Sequence, residues 1–193
     1  MSYEDVAPLL LAAQFQPCVQ ELTIFAAGDP YNVLSASLPE IFGLWPNLQV
    51  LNLELDEISN VPESLSDMTR LQSLNLSQNR LTSVPDWLCD LTNLHGLILS
   101  ANPLASVPES LGNLTNLQFL GLSQNQLTSV PESLGNLANL QALDLSYNQL
   151  TTVPDSFADL ADTLEYLNLE NNPISPAEQA RIRAMLPNTT ITF

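Results

Sequence analysis

The sequence predicts an α/β solenoid, in which units of one short strand and one short helical turn stack along a single axis. Three observations predict it. From Leu48 onward the chain repeats itself with a period of 23 residues. Each unit opens with leucines spaced L-x-x-L-x-L, which places alternating leucines on one face of a strand. A proline followed by an acidic residue then leads into a short helical segment in each complete unit.

The repeat is clearest in six consecutive units. They start at Leu48, Leu71, Leu94, Leu117, Leu140 and Leu164. A weaker unit precedes them, opened by Val19, Leu22 and Ile24, and it holds six more residues than its neighbours. The turn formers from Gly28 to Asn32 predict a loop there, which is either a tolerated insertion or a partner contact. We therefore expect about seven parallel strands, beginning near Leu22, Leu51, Leu74, Leu97, Leu120, Leu143 and Leu167.

In the six clear units the strand is followed by an asparagine, or by Asp56 in the first of them, at a constant position. The ladder comprises Asp56, Asn79, Asn102, Asn125, Asn148 and Asn172. An amide in an apolar interior must bond backbone groups, so we expect the ladder to be buried and structural. Next, Pro62, Pro85, Pro108, Pro131 and Pro154 are expected at the first helical position, where no N–H is needed. The acidic residue after each proline suits the helix dipole.

Both ends of the chain carry patterns that predict caps. Residues 1–18 are expected to form a helical cap, 19–174 about seven repeats, and 175–193 a cap of one helix and one strand. Ser175 to Glu178 matches a capping box with Pro176 at the first helical position. The helix continues to Leu186, Pro187 ends it, and 189–193 predicts a final strand. We expect one domain over 1–193 that is complete at both ends.

The charge of the chain is strongly one-sided. It has 21 acidic residues against 4 basic ones, which gives a net charge of −17. This charge repels phosphates and anionic membranes, so we expect neither a nucleic acid nor a membrane as the partner. The acidic excess either keeps the protein soluble or steers a partner with a basic surface, and the sequence leaves both open.

Cysteine usage and the N-terminal segment predict a reducing compartment. Cys18 and Cys89 are far apart and form no C-x-x-C pair. The N-terminal segment has no basic region, and its apolar run at 9–13 is too short for a signal core or a membrane span. We therefore expect a cytoplasmic protein. Export by a route that reads other signals is the alternative.

In these units the chain resembles the leucine-rich-repeat superfamily. Leu71, Leu74, Leu76, Asn79 and Leu81 match its pattern L-x-x-L-x-L-x-x-N-x-L. The 23-residue version is similar to that of Ras-group intracellular repeat proteins, Roco GTPase repeat arrays and bacterial stand-alone repeat proteins. The resemblance covers roughly 19–193. It implies a horseshoe-shaped solenoid with a concave parallel sheet and convex helical turns, used for protein recognition, and it names no partner.

The sequence contains no pattern that predicts enzymatic chemistry. His95, the one histidine, falls in a strand column with Gln72 and Gln118, whereas Cys89 falls on the convex side, so they do not predict a Cys–His pair. No glycine-rich phosphate loop is present, because the Gly112-Asn113 and Gly135-Asn136 pairs are expected as turn residues. A cation site at Glu54, Asp56 and Glu57 is disfavoured, because Asp56 fills a ladder position. We expect no metal and no cofactor.

The most informative surface residues are those that break the polar pattern of the concave positions. Phe119 is expected between Gly96 and Ala142, whose small side chains leave the ring exposed, with Ile98 diagonally across. The predicted protein-binding residues are Val50, Ile98, Phe119, Asp144, Tyr147, Tyr166 and Asn168. The alternative is scattered apolar surface residues, which are common. Trp87 on the convex side is either a second contact or a neutral substitution.

These observations favour a monomeric, non-enzymatic module or adaptor that binds another protein on its concave face. An exported effector or surface protein that binds a host or extracellular protein is the alternative, and the absence of lysine fits it. A structural spacer would have no partner at all.

Overall fold

A computed structural model describes residues 20–23, 46–54 and 58–193. Over these residues it confirms the α/β solenoid. Eight strands of three residues each form one parallel sheet, in which every strand pairs with its neighbours in the chain. The strands are β1 Glu21–Thr23, β2 Val50–Asn52, β3 Ser73–Asn75, β4 Gly96–Ile98, β5 Phe119–Gly121, β6 Ala142–Asp144, β7 Tyr166–Asn168 and β8 Thr190–Thr192.

The register of the sheet follows directly from the leucine spacing. The expected strand leucines are the middle residues of β1 to β7 and pair with one another, and Ile191 continues the row in β8. From Leu51 to Leu167 these leucines are fully buried. Side chains alternate along a strand, so the residues on either side of each leucine face away from the core. The register therefore decides which side chains line the concave surface.

Five 3-10 helices form the opposite, convex side, as predicted. They are Glu63–Asp67, Asp86–Asp90, Glu109–Asn113, Glu132–Asn136 and Asp155–Leu160. The placement of the prolines at the first helical position was wrong by one residue. Pro62 has an extended ψ of 137°, and its carbonyl accepts the first helical hydrogen bond, from the Leu65 N–H at 3.1 Å. Each proline is thus the N-cap of its helix, and the acidic residue is the first helical residue.

The asparagine ladder is buried, as predicted, at Asn79, Asn102, Asn125 and Asn148, with 3–8% of each residue exposed. The Asn125 Nδ2 group donates to the carbonyls of Leu99, Leu122 and Ser123 at 3.1, 3.0 and 3.2 Å. Its Oδ1 atom accepts from the Leu104 N–H at 3.2 Å. Since Leu99 and Leu104 belong to the preceding unit, each amide ties two units together. Asn172, in the last unit, makes the same kinds of bonds but is only half-buried.

Two glycines on the convex side are packing residues rather than the turn residues that the sequence predicted. Gly112 and Gly135 lie inside 3-10 helices and are buried against the next unit. A Cβ atom added at Gly112 would lie 2.2 Å from the Ser133 carbonyl oxygen, and one at Gly135 would lie 2.4 Å from that of Ser156. Adjacent helices can therefore approach this closely only because the side chains are absent.

The column that contains these glycines holds Cys89 in the preceding helix. Cys89 is fully buried, and this burial raises the pKa of its thiol. Where glycine fills the column, the Ser133 hydroxyl reaches the Glu109 backbone carbonyl at 2.6 Å. Beside Cys89, the equivalent Ser110 hydroxyl bonds the Asp86 carboxylate instead, at 2.8 Å. The Cys89 side chain thus fills space that the neighbouring unit occupies elsewhere.

The C-terminal cap has the predicted helix and strand. The helix spans Pro176–Met185, and the Ser175 hydroxyl accepts from the Glu178 N–H at 3.3 Å. The Glu178 carboxylate does not complete the capping box; it accepts from Thr152 and Arg181 instead. The hydrogen bonds from Arg181 lower the pKa of Glu178 to about 2. Because Arg181 also bonds Asp155 at 2.5 Å, it fastens the cap to the last 3-10 helix.

Several predictions lie outside the described residues. They are the helical cap at 1–18, the loop from Gly28 to Asn32, and the ladder residue Asp56. Among the described helices, none has the length and apolar character needed to cross a membrane.

Candidate protein-binding surface

The centre of the concave surface carries a phenylalanine above a glycine. Phe119 lies on β5 and pairs with Gly96 on one side and Ala142 on the other, as expected. A Cβ atom added at Gly121 would lie 3.4 Å from both Ile98 Cγ2 and Phe119 Cε1. The Ile98 and Phe119 side chains therefore both border the space above Gly121. Phe119 is still 38% exposed.

A second aromatic residue lies two strands away. Tyr166 on β7 pairs with Ala142 and is 39% exposed. Adjacent strands are about 4.8 Å apart, so the Phe119 and Tyr166 backbones are about 10 Å apart, with the half-buried Ala142 methyl between them. We call the surface formed by Phe119, Ala142 and Tyr166 the aromatic slot.

Asp144 stands at one end of the aromatic slot. It follows Ala142 by two residues on the same face of β6, and it pairs with Gly121 and Asn168. Its Oδ1 atom accepts from the Ser146 N–H at 3.0 Å and from the Ser146 hydroxyl at 2.7 Å. Its Oδ2 atom accepts no hydrogen bond from any described residue. One carboxylate oxygen thus holds the local turn, and the other is available to a ligand.

The hydrogen bonds that Asp144 accepts from Ser146 in the turn were not predicted from the sequence. Asn52, Asn75 and Asn168 occupy the same position in their units, and each accepts from the N–H two residues later at 2.9–3.1 Å. The polar residues of this column therefore have a structural role of their own. Ile98 and Gly121 interrupt the column with residues that cannot accept such a bond. This interruption coincides with the apolar centre of the sheet.

Two of the predicted residues lie away from the slot. Val50 is on β2, three strands from Phe119, and is half-buried. Tyr147 lies beyond the end of β6, with 52% of the residue exposed. Its φ of 54° is left-handed, as at the equivalent positions Gln78, Ala101, Gln124 and Asn171. Left-handed backbone is uncommon for bulky residues. It could not be predicted here, because Asn171 is the only one of these five residues whose type favours it.

Trp87 has a role that neither sequence interpretation included. It lies in the second 3-10 helix, is partly buried, and packs against the hydrophobic core. Part of its side chain therefore contributes to core packing on the convex side.

The residues considered for chemistry stay apart. His95 is exposed on the concave side, whereas Cys89 is buried on the convex side. Glu54 accepts from Asn75 Nδ2 at 3.4 Å and from Gln78 Nε2 at 2.5 Å, while Asp56 and Glu57 lie outside the described residues. Within the described part of the chain, no three His, Cys, Asp or Glu side chains are grouped so that they could hold a metal ion.

The charges at the concave positions are of one sign. The second, third, fifth, seventh and eighth positions of the units from Leu48 to Asn172 contain no lysine or arginine. The acidic residues at these positions are Glu54, Asp144, Glu165 and Glu170. Three of these four belong to the two units that also carry Tyr147 and Tyr166. Negative charge and exposed aromatic residues are therefore concentrated in the same half of the sheet.

Comparison with known proteins identifies the family. The family model described as "Leucine rich repeat" matches residues 31–81, 46–104 and 115–174, which together exceed half of the chain. The chain belongs to the leucine-rich-repeat family. Among curated proteins, no match is found.

Two solved leucine-rich-repeat structures place the chain within this family. A leucine-rich-repeat protein of Leptospira interrogans is 34% identical, with a TM-score of 0.65 over 80% of this chain and 45% of that protein. An internalin of Listeria monocytogenes is 26% identical, with a TM-score of 0.66 over 78% of this chain and 42% of that protein. The chain thus spans less than half the length of either protein. Leucine-rich-repeat folds are generally protein–protein interaction modules.

Proposed function

We propose that this leucine-rich-repeat protein is a non-enzymatic recognition module that binds another protein on its concave surface, with the aromatic slot at the centre of the contact. The observation that carries the proposal is the exposure of Phe119 and Tyr166 on either side of Ala142. Binding energy is usually concentrated in a few central aromatic residues. Phe119, an exposed aromatic residue on a middle strand of the sheet, meets that description.

The repeat itself supports this reading of the slot. At the Phe119 position the other strands from β3 to β6 carry Ser73, Gly96 and Ala142, all small. Folding needs no large side chain there, because the neighbouring leucines already form the core. Phe119 and Tyr166 therefore expose apolar surface to water without an evident gain in stability. Partner binding would recover that cost.

The charge pattern indicates which partner the surface fits. With acidic residues and no lysine or arginine at its concave positions, this surface would attract a basic partner and speed its association at low ionic strength. We propose a cytoplasmic, monomeric adaptor. The second candidate is an exported protein that binds a host or extracellular protein, for which the complete absence of lysine is the observation in favour. A secretion assay on the native cells discriminates the two.

Replacing Phe119 with alanine tests the proposed function. With a partner captured from native lysate and then purified, Phe119→Ala is expected to weaken binding by about 2 kcal/mol, or roughly 30-fold in Kd. The melting temperature should change little, because the ring is exposed and lies outside the leucine core. Calorimetric titration and thermal melting measure the two effects.

The matched control is Glu109→Gln on the convex side, which is expected to leave the affinity unchanged. Unchanged affinity for Phe119→Ala together with a loss for Trp87→Ala would contradict the proposal and move the contact to the convex side.

A further inference from the structure

We propose that the aromatic slot is a receptor for an arginine side chain of the partner, with Asp144 as the counter-charge. The inference rests on the proposed function and specifies the chemistry that the slot recognises. It combines three features of the described residues: two exposed aromatic residues, the small side chain between them, and a carboxylate oxygen without a hydrogen bond at one end.

The shape of the slot suits a long unbranched stem that ends in a flat group. The Phe119 and Tyr166 backbones are about 10 Å apart, because one strand separates them, and Ala142 between them fills little of that space. A guanidinium group is planar and stacks on aromatic faces, whereas an ammonium is a compact, strongly hydrated charge. Two exposed aromatic residues on either side of a small alanine side chain therefore favour arginine over lysine.

The position of Asp144 suits the charged end of that side chain. It lies two residues beyond Ala142 on the same face, about 7 Å along the strand. Its Oδ1 atom is held by Ser146, which fixes the carboxylate and leaves Oδ2 for a guanidinium N–H. Arginine pairs with carboxylates through directional, charge-assisted hydrogen bonds.

A partner that covers the aromatic slot needs a cation to pair with Asp144. When a partner excludes water from Asp144, a neutral apolar occupant would leave a carboxylate oxygen unpaired, which is strongly unfavourable. No lysine or arginine occupies the concave positions of the units from Leu48 to Asn172. Arg181 is bonded to Glu178 and Asp155, and Arg183 lies over the Phe193 ring at 4.8 Å. The partner has to bring the positive charge.

The test uses N-acetyl-arginine-N-methylamide as the probe and the full chain with its alanine methyl groups labelled with ¹³C. Titration is expected to shift the Ala142 methyl resonance in NMR spectra, with a Kd of about 1–10 mM for so small a ligand. The citrulline analogue, which has the same shape without the charge, is expected to give no saturable shift. An equal shift with citrulline, or with the lysine analogue, would overturn the assignment.

The discriminating variant is Asp144→Asn. Asparagine accepts the same turn bond at the equivalent positions 52, 75 and 168, so the fold should be retained while the charge is lost. We expect binding of the probe to weaken about tenfold, whereas Glu109→Gln, which removes one negative charge from the convex side, has no effect. Probe binding that survives Asp144→Asn unchanged would exclude the receptor. If Phe119→Ala still weakens binding of the protein partner in that case, the proposed function stands without this inference.

Discussion

Gly112→Ala is expected to destabilise the protein by about 3 kcal/mol, the largest effect of a single methyl group that the fold predicts. The added Cβ atom would lie 2.2 Å from the Ser133 carbonyl oxygen and 2.7 Å from its Cβ atom. Replacing glycine with alanine ordinarily stabilises by about 0.4–1 kcal/mol through the unfolded chain. Here the clash involves backbone of the next unit, which would have to shift away to relieve it, so the clash decides the sign.

Gly96→Ala provides the matched control. Its Cβ atom would make an ordinary contact, 3.6 Å from the Ser73 hydroxyl oxygen. Urea unfolding at 25 °C should therefore place this variant within about 0.5 kcal/mol of the wild type. Equal stabilities for the Gly112 and Gly96 variants would show that the convex helices are packed less closely than described.

Asn125→Ala is expected to cost about 3 kcal/mol, because it removes three donated hydrogen bonds and one accepted bond at a buried site. The net contribution of one hydrogen bond to stability is about 1 kcal/mol, and each buried group left without a partner costs about 1–3 kcal/mol. Several of these groups have no access to water, so the loss exceeds that of one ordinary bond. Chemical denaturation at neutral pH measures the change.

Asn116→Ala is the control for the ladder. Its Nδ2 group makes a single exposed hydrogen bond, to the Thr92 carbonyl at 2.8 Å. Water replaces that bond, so a loss of about 0.5 kcal/mol or less is expected. A comparable loss at the two positions would mean that the ladder does not carry the stability assigned to it.

The strand register and the buried ladder could be predicted because both depend on the 23-residue period, which is visible in the sequence. Once Leu120 faces the core, alternation along β5 places Phe119 on the concave side, beside Gly96 and Ala142. The same argument placed Asn125 next to backbone that needs partners. Periodicity fixes which column a residue belongs to, and for these residues the column determines the environment.

Features that depend on the distance between units could not be predicted in this way. Gly112 and Gly135 resemble turn residues in sequence, and only the approach of the next 3-10 helix shows why a side chain is excluded. The sequence pattern predicts the prolines one residue too far into the helix. Their extended ψ, which makes them N-caps, follows from the tight path of the convex turn.

In the candidate site, too, some features follow from the repeat period and others do not. The exposure of Phe119 and its diagonal relation to Ile98 follow from the register. The turn bond of Asp144 and the left-handed backbone of Tyr147 depend on how the chain leaves the strand, where the period carries no information. Val50 was grouped with Phe119 by residue type alone, and three strands of separation keep them apart.

Site-directed photo-crosslinking tests most directly whether the concave surface is the one that binds protein. A photoreactive amino acid is placed either at Gln141, which is exposed beside Ala142, or at Asn113, which is exposed at the end of a convex 3-10 helix. Each protein is irradiated in native lysate. The predicted result is a discrete, light-dependent adduct from position 141 and none from position 113. An adduct from position 113 alone would contradict the assignment of binding to the concave surface.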